Sequence, residues 1–135
     1  SFVPGSVQLA DNEAEKLSAL AQALRERPEL LLNIRGAVAP EADALALLKA
    51  QMQARGETVT GEAWEQAQQA WRDGERSLPP EALGRLASER GVTVRQVLTA
   101  THEVSDSQLF LLDPARDAPV DDQGNVTVRF TLDVR

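Results

Sequence analysis

The sequence predicts one α/β (α+β) domain with a mixed sheet of about four strands and helices on one face. Three observations carry that prediction. The C-terminal segment alternates without a break: Val126, Val128, Phe130, Leu132 and Val134 against Thr127, Arg129, Thr131, Asp133 and Arg135, the period of a strand with one face packed and one solvated. Leu17, Leu20, Ala21 and Leu24 recur at the i, i+3, i+4, i+7 spacing of an amphipathic helix. Strand-like and helix-like segments then follow one another in the order β-α-β-α-(α)-α-β-β, which calls for crossover connections early in the chain and permits a hairpin at its end.

Taken in order, Phe2–Leu9 reads as a short strand around Pro4-Gly5. The first helix starts at Asp11 or Asn12, and Asn12 with Glu15 has the spacing of a capping box. Arg25 and Arg27 suit the negative end of the helix dipole, and Pro28 stops it. Leu30–Gly36 is the second strand, with Leu30, Leu32 and Ile34 on an apolar face and Leu31, Asn33 and Arg35 on a mixed one. Pro40 and Glu41 open a helix carrying Ala44, Leu45, Leu48 and Met52 that ends near Gly56.

The stretch from about 56 to 78 has the character of a helical insertion. Trp64 and Trp71, seven apart, fall on one helical face and are expected to anchor it in the core. Pro79-Pro80 launches the next helix, whose apolar face is Leu83, Leu86, Ala87, Val94, Val97 and Leu98, with Gly91 and Val92-Thr93-Val94 weakening its middle. Gln108–Leu112 is a strand, and 113–125 is a polar loop.

Composition narrows the function classes. The 135 residues suit one domain, 1–135, able to bury a core without staples. With 14 basic against 21 acidic residues the net charge is −7, which argues against nucleic acid and anionic lipid as partners. The absence of cysteine removes disulfides, thiol nucleophiles and Cys-ligated zinc. No segment reaches the roughly 18 apolar residues of a membrane span. The chain opens on Ser1 rather than Met, as a fragment or processed product would.

The segment FVPGSVQLADNEAEKLSALAQALRERPELLLNIRG resembles the opening of OmpA-like domains, LASERGVTVRQVL (Leu86–Leu98) resembles their third-helix motif, and EVSDSQLFLL resembles the exit into the next strand. The resemblance covers nearly the whole chain outside the insertion. With its Trp-bearing insertion, the form is similar to the C-terminal domain of large AsmA-like envelope proteins. It implies a non-enzymatic interaction or structural domain, without cofactor or metal, in the periplasm near the outer membrane, as part of a membrane-associated parent. An envelope protein or peptidoglycan is the implied partner.

In peptidoglycan-binding members an Asp three residues after the strand-ending Gly and the Arg of the helix motif hold the diaminopimelate of the stem peptide. The Arg position matches Arg90, but the Asp position is Ala39. Asp43, four residues further on, is the candidate replacement, so Arg90 and Asp43 are the candidate ligand-binding residues. A carboxylate accepts from an amine or amide, and a guanidinium grips a carboxylate through two bonds. The plainer reading of Arg90 is a solvated or ion-paired helix residue.

Leu86–Leu98 also resembles a helix-turn-helix with Gly91 at the turn, yet Thr93–Thr101 offers only Arg95 as a basic contact. His102, the lone histidine, lacks the context of a catalytic triad. Asp113, Asp117, Asp121 and Asp122 invite a calcium reading, against which stands ordinary loop-turn chemistry. Glu41, Asp43, Glu57 and Glu62 could supply a hydrolytic carboxylate pair only with a geometry that sequence does not give.

Overall fold

A computed structural model describes residues 1–135. Helix α1 (Glu13–Glu26) leads into strand β1 (Leu30–Arg35), followed by α2 (Pro40–Ala54), α3 (Gly61–Arg72) and α4 (Ala82–Gln96). A π-helical turn, Val97–Thr101, extends α4, and the chain closes with β2 (Leu109–Leu111) and β3 (Arg129–Val134). The class is the expected mixture of helices and a mixed sheet, with three strands rather than four.

β1 lies at the centre of the sheet, in the order β2-β1-β3. It pairs parallel with β2 and antiparallel with β3, setting Leu32 opposite both Leu109 and Leu132. β2 and β3 therefore do not form the expected hairpin. The segment 112–128 between them is much longer than hairpin loops of roughly two to five residues, so each strand is free to seek the most apolar partner.

The expected first strand is also absent as an element. Phe2 makes single bridges to Leu9 and Val126, and nothing longer forms. Pro4 lacks an N–H, and Gly5 at φ 70° turns the chain back, with Val3 N–H on Gln8 O and Ser6 N–H on Val3 O. A Cβ at Gly5 would fall 2.7 Å from Ala46 Cβ, so this loop lies directly on α2.

The core joins Leu17, Ala21 and Leu24 of α1 to Leu32 and Ile34 of β1, with Val94 and Leu98 packed over them. The reverse face of the sheet, with Asn33, Phe110 and Thr131, carries no helix, and Phe110 is 46% exposed. α1 does not use the expected capping box. Asn12 occupies the N-cap at φ −90°, ψ 1°, away from the extended geometry that aims a capping side chain, and makes no cap bond.

β3 has the predicted alternation but only half of the predicted burial. Val126 and Val128 are buried and Phe130 is partly so, whereas Leu132 is 52% and Val134 is 69% exposed. Period-two patterning fixes which side chains share a face. Here nothing covers the far end of that face, because β3 is an edge strand.

Trp64 and Trp71 anchor the insertion, but not in the main core. Both are half-buried in a separate cluster with Ala67 of α3 and Leu48 and Met52 of α2. Arg76 closes the neck of the insertion by donating to both carboxylate oxygens of Glu57, at 2.8 and 3.4 Å. That bond, more than the accompanying charge attraction, holds the Glu57 carboxyl below the usual glutamate range. A depressed carboxyl stabilises above its unfolded value and ceases to as pH falls through the folded one. Glu57→Gln is expected to lower amide hydrogen-exchange protection in α3 while leaving β1 unchanged, and acidification of the wild type is expected to do the same.

Candidate functional site

Arg90 and Asp43, 47 positions apart, meet at the centre of the molecule. Both side chains are 0% exposed. Gly36 sets the approach. A Cβ there would fall 1.9 Å from Ala87 O and 2.9 Å from Gly91 N, so the end of β1 rests directly on the backbone of α4. That contact brings Arg90, one turn along α4 from Ala87, to the loop after β1. Gly91, expected to weaken the helix, lies inside an unbroken α4. There is no turn at Gly91, so the helix-turn-helix geometry is not formed, and Arg95 donates to Asp106 instead.

The pair is bidentate: Arg90 Nη1 donates to Asp43 Oδ2 and Nη2 to Oδ1, each at 2.7 Å. The three remaining N–H groups go to backbone carbonyls. Nε donates to Ser6 at 3.0 Å, Nη1 to Ala37 at 3.0 Å and Nη2 to Val3 at 3.3 Å. A guanidinium has five N–H donors, and all five are engaged. Phe2 adds its ring, whose centroid lies 5.3 Å from Arg90 Cζ.

Asp43 is equally engaged. In the first turn of α2, where a negative charge suits the helix dipole, it also accepts from Gly5 N–H at 2.7 Å and Ala39 N–H at 2.8 Å. No buried side-chain nitrogen or oxygen in the chain lacks a partner. The arrangement ties the N-terminal loop, the β1–α2 loop and α4 together. Chemically it is an ion pair closed on itself, with no free donor or acceptor aimed at a ligand.

The candidate residues are thus brought together. None of Arg90's hydrogen bonds comes from the insertion; the N-terminal loop lies against it through Phe2, Val3 and Ser6. Val3 and Ser6 were not foreseeable as site residues, because backbone carbonyls leave no mark on side-chain identity. The turn signal of Pro4-Gly5 was the one available hint.

The other candidates do not assemble into a second site. Glu41 pairs with Arg72 at 3.2 Å, Glu57 with Arg76, and Glu62 accepts from Gln66, so the four carboxylates face different partners. His102 caps the π-helical turn and its carbonyl accepts from Arg25. Asp121 accepts from the backbone N–H of Gln123 and Asn125, both at 2.9 Å, which is turn chemistry. The Asn125 bond is the main reason its carboxyl sits below the ordinary aspartate range. No group of acidic or histidine side chains is gathered so as to hold a metal ion.

Fold and site together define a mixed α/β domain locked by a buried arginine–aspartate pair. No protein-family model matches the chain, and no curated protein matches it.

Proposed function

We propose that the chain is a non-enzymatic interaction domain of the OmpA-like kind, working in the periplasm as part of a larger AsmA-like envelope protein, and that it does not hold a peptidoglycan stem peptide through Arg90. The observation that supports this reading is the closure of the Arg90–Asp43 pair. A ligand carboxylate at Arg90 would have to displace Asp43, and with it the bonds to Gly5 and Ala39. Breaking a buried pair without compensation costs about 3–5 kcal/mol. A ligand that binds only the opened form has its affinity reduced by the fraction open, here of order a hundredfold or more. The carboxylate that a stem peptide would offer is already present within the chain. What remains for function is the surface, which is acidic overall, at −7, and carries uncovered apolar side chains on the sheet.

The test is an amide NMR titration of the isotope-labelled chain with a soluble diaminopimelate-containing muropeptide. The expected result is no saturable shift at Arg90 or across Gly36–Asp43 up to millimolar peptide. Saturable shifts there, abolished in Arg90→Lys, would replace this reading with that of a stem-peptide binder using a rearranged clamp.

A further inference from the structure

The insertion is held far more lightly than the rest of the chain. Of the 12 residues of α3 only Ala67 is buried. With the half-buried Trp64 and Trp71 it packs on Leu48 and Met52, in a cluster separate from the main core. No backbone hydrogen bond joins α3 to another helix or strand. Its polar ties to α2 are Arg72 to Glu41 at 3.2 Å, both exposed, and Lys49 Nζ over the Trp64 ring at 5.6 Å. Exposed pairs of this kind contribute little to stability. Ala63, Ala67 and Ala70 are small, and with Met52 they line a groove of about 500 Å³ that is left unfilled between the insertion and α2.

Both ends of the segment can turn freely. Gly56 at φ 75° and Gly74 at φ 78° occupy left-handed positions, and nothing lies within 4 Å of where a Cβ would stand on either. Between them and the helix, Glu57 and Arg76 pair at 2.8 Å and keep the two ends of the segment close. A closed neck lowers the entropy cost of bringing the middle back to its seat.

We propose that α3 is a releasable strap: 58–75 leaves α2 and unravels as one unit while α1, β1 and α4 stay folded. A helix of 12 residues is marginal alone in water, so losing the Trp64 and Trp71 contacts melts α3 instead of freeing it as a rod. α2 remains in place through Asp43, which is bonded to Arg90 and takes no part in the Trp cluster. Release therefore bares Leu48 and Met52, now 0% and 3% exposed, on a helix that does not move. The closed chain hides this apolar strip, so the strap is an internal cover whose opening changes the surface without unfolding the domain.

Native-state hydrogen exchange of the full chain in low urea, followed by NMR with tryptophan emission alongside, tests the proposal. Trp64 and Trp71 are the only tryptophans and the chain has no tyrosine, so the emission reports on α3 alone. The amides of 65–72 are expected to exchange through one common, urea-dependent opening, at least about tenfold more populated than the opening that exposes β1. The emission is expected to shift red at lower urea than the loss of β1 protection. Trp71→Ala is expected to raise α3 exchange about tenfold or more further and to leave β1 unchanged within about twofold. Wild-type α3 and β1 amides exchanging through the same global opening would overturn the proposal, as would Trp71→Ala accelerating both equally. Exchange graded inward from Gly61 and insensitive to urea overturns it too, because that is fraying of a helix end and not release of a unit.

Discussion

Asp43→Ala is expected to destabilise the fold by about 3–5 kcal/mol, because it leaves a guanidinium buried without its counter-charge. Arg90 is 0% exposed and would lose both of its bonds to the carboxylate, while Gly5 and Ala39 would lose an acceptor for their N–H groups. Domain stabilities are about 5–15 kcal/mol, so this single change reaches a large fraction of the total. Urea unfolding measures it, as a fall in midpoint at constant slope. Asp43→Asn is expected to recover only part, since an amide offers one acceptor oxygen where the carboxylate offers two. The double variant Asp43→Leu with Arg90→Met is expected to be more stable than Asp43→Ala alone, the pattern of a pair whose members are costly mainly when separated. A loss under about 1 kcal/mol for Asp43→Ala would place the pair among the weakly contributing ion pairs of protein surfaces.

Gly36→Ala is expected to cost about 3 kcal/mol or more, at the upper end of overpacking effects. The added Cβ would meet a backbone carbonyl, Ala87 O, at 1.9 Å, and no side-chain rotation relieves that clash. α4 would have to move off the end of β1, drawing Arg90 from Ala37 O and Asp43 with it. Gly91→Ala is the informative contrast. Its Cβ would find Gly36 N at 3.4 Å and Leu111 Cδ2 at 3.5 Å, contacts that are tight but ordinary, and alanine favours the helix by about 1 kcal/mol. The expected change there is within about 1 kcal/mol of zero. Equal losses at both glycines would contradict the asymmetry of this contact.

Elements with a strong period were legible from residues alone. α1 carries its apolar residues at helical spacing and stops before Pro28, and β1 alternates as its burial does. What failed were inferences about partners. Phe2–Leu9 is apolar enough for a strand, but Pro4 and Gly5 fold it into a loop over Arg90. The order of β2 and β3 in the chain hinted at a hairpin, whereas the centre of the sheet went to β1. The alternation of β3 reported two faces and was silent on whether a layer would cover Leu132 and Val134.

The site was legible to a similar depth. Resemblance drew attention to Arg90 and to the missing carboxylate at Ala39, and the spacing brought in Asp43 as a replacement. The two residues are indeed neighbours, at 2.7 Å. Whether such a pair faces a ligand or itself depends on the backbone carbonyls of Val3, Ser6 and Ala37, which any residue types could have supplied.

The most direct test of the closed pair is the exchange rate of the Arg90 Nε–H with solvent, followed by NMR of the side-chain signal. A guanidinium sealed by Asp43 and three carbonyls is predicted to exchange as slowly as the core amides of β1, and to slow further in parallel with global stability. Exchange as fast as that of the exposed arginines would contradict the account, and would mean that the pair opens to solvent and to ligands.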